Sequence, residues 1–231
     1  MTAYQMLVTA HIAAGSVALL TFWTAAIARK GSPLHKGVGK VYLIAMLMIL
    51  ASALPMAVRF ISRGVIDIGI FLLYLVVITG TSIWLARRAI QSKRDLTGFH
   101  DRKYVITGWV NLIAGLVVFA IGLARGSMLL STFCFVGIAI GIGMLRQART
   151  LPTARNWWLK EHYGAMLGNG VATHVAFLGI GMRSTIASFD QAWLQLVPWF
   201  LPLAVALVAG VYLDRRYGAK QKLPGAAAVS T

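Results

Sequence analysis

Seven apolar stretches alternate with short connections along the chain, at 5–27, 41–61, 66–86, 104–124, 127–145, 163–187 and 192–213. Each is long enough, at roughly 20 residues, to cross the ~30 Å hydrocarbon core of a bilayer as a helix. Lipid offers no partner for an open backbone, so a chain in this solvent satisfies its amides within helices. The predicted fold is therefore all-α: a polytopic transmembrane bundle of seven helices over 1–213, followed by a short, polar, disordered tail over 214–231. Composition agrees, because only 12% of the 231 residues are charged and the mean hydropathy is +0.75. A soluble globular domain is about a quarter charged.

The net charge of +16 would point to nucleic acid in a soluble protein. Here the basic residues mark topology instead, and no nucleic-acid partner is expected. Eighteen of the 22 fall in alternate connections: after the first span (Arg29, Lys30, Lys36, Lys40), the third, the fifth and the last. The remaining four are Arg59, Arg63, Arg125 and Arg183. Lysine and arginine accumulate on the cytoplasmic side, which places the N-terminus outside and the C-terminus in the cytoplasm. The first span is read as a span rather than a cleaved signal, since its charges follow it and its apolar run is long.

Ionisable residues inside the membrane are the natural functional candidates. The six acids sit in connections or at span ends, which argues against a buried carboxylate relay. No lysine lies in the last span to form a retinal Schiff base. Phosphate-binding loop, nucleophile elbow and paired-histidine protease motifs are all missing. Cys134 is the only cysteine, so no internal disulfide or multi-cysteine metal site can form.

The five histidines fall into two groups. His11 and His174 lie inside the first and sixth spans, about 9 Å and 13 Å below the outer edge by helix rise. Two imidazoles at similar depth suit the axial positions of one haem b iron. Gly15, Gly170 and Gly181 would leave room for the macrocycle. Arg59, Arg125 and Arg183, on the sparsely charged outer side, would then meet its propionates. The second group gathers at the cytoplasmic rim: His35, His100, His162 and Glu161. His35 and His162 form a weaker second metal pair, and the four together resemble a zinc ligand set. His162 and His174 are about 18 Å apart along one helix but about 120° apart around it, so they face different pockets. Each histidine also has a plain reading, as an interhelical hydrogen-bonding group within the bundle or a solvated residue at its rim.

Other residues read as structure. Gly137 with Gly141, and Gly164 with Gly168, are small-residue pairs that permit close helix approach. Trp157, Trp158, Trp193 and Trp199 suit an interfacial belt. Asn111 and Asn169 suit bonds across helices, Pro198 and Pro202 a kinked last span, and Cys134 a small buried hydrophobe. The nine methionines show no clustered ladder.

The segments HIAAGSVALLTF from His11, LHKGVGKVYLIAMLMILASALPMAV from Leu34, and WLKEHYGAMLGNGVATHVAFLGIG from Trp158 resemble an uncharacterised bacterial membrane-protein family, domain of unknown function 2306. In that family a His-x-x-x-Gly-[Arg/Lys]-Val-Tyr segment opens the second span. It is matched here by His35, Gly39, Lys40, Val41 and Tyr42, with lysine at the position where arginine is commoner. The resemblance covers most of the chain and is clearest over 11–60 and 158–183. It implies a multi-pass protein of the bacterial cytoplasmic membrane and directs attention to the histidines, without implying an activity.

Three functions fit these observations. One is a b-type haem protein for electron transfer or redox sensing, on His11 and His174, with a quinone or other membrane redox partner. The second is a transporter or receptor for a small or amphipathic molecule, with a histidine-lined cavity. The third is a metal-dependent membrane enzyme at the rim. The glycine-bearing faces also permit a homo-oligomer.

Overall fold

The computed structural model describes residues 1–152, 154–182, 194 and 196–217. Its helices are α1 (Ala3–Ile27), α2 (Pro33–Ser62), α3 (Ile66–Gln91), the single turn α4 (Leu96–Phe99), α5 (Arg102–Arg125), α6 (Met128–Arg149), α7 (Trp157–Val175) and α8 (Val197–Tyr217). A π-helical turn over Ala176–Gly181 continues α7. Among the described residues, six helices are long and apolar enough to cross a membrane: α1, α2, α3, α4 with α5, α6 and α8. α7 falls short of that standard, because Lys160, Glu161, His162 and Asn169 interrupt its apolar surface. The stretch expected as the sixth span is helical, as α7 and its π turn, which start six residues before the apolar run. Beyond Met182 that expectation lies outside the described residues. α8 begins at Val197 with Pro198 in its first turn, and it runs on through Asp214–Tyr217, which the sequence reading gave to the tail.

Helix ends follow local chemistry. Thr2 and Gln5 form a reciprocal capping box at the start of α1, with bonds of 2.7 and 3.2 Å. At its other end the Lys30 ammonium donates to the carbonyls of Ala25 and Ala26, at 2.9 and 2.6 Å. Ser32 caps α2, with Pro33 in the first helical position. Three hairpin connections carry a glycine of positive φ: Gly31 (φ +80°) between α1 and α2, Gly64 (φ +81°) between α2 and α3, and Gly126 (φ +62°) between α5 and α6. All three angles lie in the left-handed region, where a Cβ is costly.

The chain divides into two compact units. The first comprises Met1–Ile83 and Gly168–Ala206. In it α1 and α2 pack antiparallel through residues spaced seven apart on each helix. The Arg59 guanidinium lies 3.9 Å over the Tyr4 ring, and His11 bonds Ser52 at 2.7 Å. The next seven-residue step reaches Ala18 and Ala45, which are buried. Small side chains there let the backbones approach, which is how helices associate in lipid. The outward face of α1 stays apolar, with Ile12, Leu20, Trp23 and Ile27 exposed. On α7, Gly168 fits against α3, where a Cβ would stand 3.1 Å from Ser82 Oγ.

The second unit comprises Trp84–Leu167 and Leu207–Thr231, described to Tyr217. Its centre is the antiparallel pair α5 and α6. Gly108, Gly115 and Gly122, seven residues apart, face α6 so closely that a Cβ on any of them would stand within 3.1 Å of α6 atoms. Gly141 returns the contact from α6, as its small-residue spacing predicts, whereas Gly164 of the other predicted pair has nothing within 4 Å. Cys134 is fully buried, as expected. α7 and α8 are tied by Lys160 to Asp214 at 3.1 Å, by Tyr163 to Asp214, and by the Asn156 amide to the Tyr217 carbonyl. Trp157 belongs to no belt. It is 4% exposed and packs on Phe99 at 4.8 Å between ring centres.

Candidate functional site

Polar and aromatic side chains of the first unit gather around residues 169–174 of α7. Residues 169 and 173 lie one turn apart on one line of the helix, and 170 and 174 on the next. Along the first line, the Thr173 hydroxyl donates to the Asn169 carbonyl at 2.9 Å and accepts from the fully buried Tyr42 hydroxyl at 3.0 Å. Met46 Sδ sits 3.3 Å from the same hydroxyl. Asn169 is 0% exposed, and neither atom of its side-chain amide has a hydrogen-bond partner among the described residues. Among the described residues, the expected bond across helices is not made.

Along the second line, His174 Nδ1 lies 2.7 Å from the Gly170 carbonyl. A carbonyl only accepts, so the neutral ring carries its proton on Nδ1 and presents Nε2 as an acceptor. That lone pair takes the Trp23 indole N–H at 3.0 Å. Phe22 and Trp23 both meet the imidazole edge-on, with centroids 5.3 and 5.6 Å away. Gly170 makes this possible: a Cβ there would stand 2.5 Å from the Phe22 ring. The space next to Gly170, which the sequence reading assigned to a macrocycle, holds Phe22. The π-helical turn begins two residues after His174, and such turns often occur at functional sites.

His11 and His174 do not converge. His174 packs on Phe22 and Trp23, which follow His11 by 11 and 12 residues on the same unbroken helix. That offset is about 16 Å by helix rise, whereas two axial nitrogens on one metal lie about 4 Å apart. The pairing of these two histidines on a single haem iron is thereby corrected. Its depth count began α7 at its apolar run, and hydropathy does not fix the axial offset of one helix against another. His11 has its own partner in Ser52, whose hydroxyl donates to the Met48 carbonyl at 2.8 Å and accepts from His11 Nδ1–H at 2.7 Å.

Arg59 lies in the first unit over Tyr4, and Arg125 ends α5 in the second. Arg183 lies outside the described residues.

At the rim, His35 belongs to the first unit, where Nδ1–H donates to the Ala25 carbonyl at 3.0 Å. In the second unit His162 donates to the Ala86 carbonyl at 2.9 Å, and His100 to Leu96 at 2.9 Å. The His100 ring is boxed by Phe99, Tyr104 and Trp157, at 4.9, 4.8 and 5.8 Å. Glu161, just before the predicted sixth span, lies near His100 and bonds the Gln147 side chain. Burial pushes its carboxyl above the usual range, against the opposing pull of Gln147, His100 and Lys160. Among the described residues no three His, Cys, Asp or Glu side chains gather in a metal-binding group. Within the second unit, His100 and Glu161 of the rim set lie near each other.

Beside the Trp23–His174 bond, an open groove of about 540 Å³ runs along the end of α1, lined by Leu19, Leu20, Trp23, Thr24, Ile27, Ala28 and Leu34. Its volume falls within the ~300–1,000 Å³ typical of small-molecule sites. Sequence reading missed Trp23, Phe22, Tyr42 and Thr173. An apolar helix that ends in an aromatic pair carries no period that says which neighbour the pair meets. The chain matches no family model, no curated protein and no solved structure.

Proposed function

We propose that this is an integral membrane protein that binds a small amphipathic molecule from the bilayer, as a receptor or transporter, in the groove at the end of α1. The observation that carries the reading is the joining of an apolar groove to a hydrogen-bonded Trp23–His174 pair, on a helix whose neighbouring line is also polar. Binding sites commonly combine apolar walls with a few placed polar groups. The family resemblance and the positive-inside pattern support a seven-span protein with its N-terminus outside. A cysteine introduced at Thr2 in a Cys134→Ala background is then labelled in intact cells by an impermeant maleimide. Labelling only after the cells are opened would reverse the topology.

The test of binding uses a diazirine placed in the tail of a C16 amphipath, with purified protein in detergent. Saturable crosslinks are expected within 19–34. Leu20 is 70% exposed and lines the groove, so Leu20→Trp fills the space without entering the core. It should lower the saturable labelling at least tenfold. Undiminished labelling in that variant would overturn the reading.

A further inference from the structure

We infer that the Trp23–His174 bond is a proton-operated latch between α1 and α7: one proton taken up from water at His174 Nε2 breaks the bond and releases the indole. The latch stands whatever the groove binds. Its effect on the groove rests on the binding reading above, because Trp23 forms part of the groove wall.

The neutral ring makes two bonds of opposite kind. Nδ1–H donates to the Gly170 carbonyl at 2.7 Å, and Nε2 accepts the indole N–H at 3.0 Å. An indole nitrogen only donates, and an imidazolium donates from both of its nitrogens. A proton on Nε2 therefore sets two N–H groups against each other and removes the acceptor on which the bond depends. Histidine is the side chain whose charge changes between about pH 5 and 8, so the bond is present above that range and lost as pH falls through it. The bonds beside it do not respond, since Tyr42, Thr173 and the Asn169 carbonyl all stay neutral there.

The groups around the ring offer the proton no other partner. From α1 the imidazole meets Phe22 and Trp23, both uncharged. Arg29 and Lys30 follow at the end of that helix, where Lys30 is engaged by the Ala25 and Ala26 carbonyls. From α2 comes Tyr42, held on Thr173, with His35, Lys36 and Lys40 in the turns before it. The described residues of the first unit include one acid, Asp67, in the first turn of α3, and it is Ser82, fifteen residues later, that meets Gly168 of α7. On α7 itself Glu161 and His162 come twelve residues or more before His174. None of the side chains in contact with the ring is a carboxylate, so the imidazolium gains no ion pair in exchange for the bond it loses. Trp23 is half-exposed, and once released its indole no longer holds the groove wall in one position.

The experiment records the indole N–H signals of the full chain, labelled with ¹⁵N-tryptophan in detergent, between about pH 8 and pH 5. Trp23→Phe identifies the Trp23 signal by its loss. That signal should lie downfield, as a hydrogen-bonded indole does, at the upper pH and move upfield as the pH falls. The other indoles, Trp157 beside His100 excepted, should stay in place. In His174→Gln the amide oxygen accepts the same bond and does not titrate, so the Trp23 signal should remain downfield throughout. A Trp23 signal that stays still in the native protein would overturn the latch, even if the glutamine variant does not fold. Equal movement in His174→Gln would overturn it too. The same samples are then labelled with a tail-diazirine C16 amphipath whose head does not ionise in this range. Saturable crosslinks within 19–34 should fall at least tenfold from the upper pH to the lower, and should not change in His174→Gln. Labelling indifferent to pH while the indole signal moves would overturn the coupling to the groove and leave the latch standing. Absence of saturable labelling at either pH would overturn the binding reading, which the indole signal does not test.

Discussion

Gly141→Leu is expected to destabilise the second unit by about 3 kcal/mol or more, the upper end of the usual cost of overpacking a close-packed core. A Cβ at this position would stand 2.6 Å from the Leu112 amide nitrogen and 2.7 Å from the Gly108 carbonyl oxygen. Both are backbone atoms of α5, so no rotamer change relieves the clash and the helices themselves must separate. Separation would be felt along the whole seam, because Gly115 packs on the Cys134 carbonyl and Ile138 nitrogen, and Gly122 on the Ser131 nitrogen, at 2.7–2.9 Å from an added Cβ. Lipid supplies no hydrophobic drive to hold two helices together, so close packing is what α5 and α6 have. Gly143, two residues on, has nothing within 4 Å. Gly143→Ala should be neutral or should gain up to ~1 kcal/mol of helix propensity. Unfolding of the purified protein in an SDS titration reads both. Equal midpoints for the two variants would mean that the seam does not hold the unit together.

That seam shows which parts of the fold are legible in a sequence of this kind. The apolar runs could be read because each helix must satisfy its own backbone in lipid, which stretches hydrophobicity into blocks of fixed length. Spacing of four between Gly137 and Gly141 flagged α6 correctly. The α5 half of the contact, Gly108, Gly115 and Gly122, was equally visible at a spacing of seven, but a search for glycines four apart passes over it. The site was less legible. Depth along a helix can be counted, but rotation and axial offset are set by which faces pack. α1 is apolar on nearly every side, so its surface records no preferred neighbour. His11 and His174 consequently looked like partners, although one bonds Ser52 and the other Trp23. Trp157 looked interfacial because it precedes an apolar run. Phe99 and the ring of His100, from the connection before α5, pack on it instead.

Asn169→Leu is expected to raise the stability of the first unit by about 2 kcal/mol. A buried polar group without a partner costs roughly 1–3 kcal/mol. The Asn169 amide is fully buried, with neither its nitrogen nor its oxygen bonded among the described residues. Leucine has nearly the same shape and carries no such debt of desolvation, and the Thr173 bond to the residue 169 carbonyl is kept because it uses backbone. Asn169→Ala should instead lose stability, since the cavity it opens outweighs the relief. Natural proteins accept local instability of this kind chiefly where function needs it, and Asn169 lies one residue from the glycine that admits Phe22 and orients His174. The leucine variant should therefore be the more stable protein and show weaker saturable labelling by the C16 amphipath. Destabilisation by more than 1 kcal/mol in the same SDS titration would show that the amide has a partner after all. A buried water making two or three bonds is the ordinary form such a partner takes, and the polarity of this helix would then be structural.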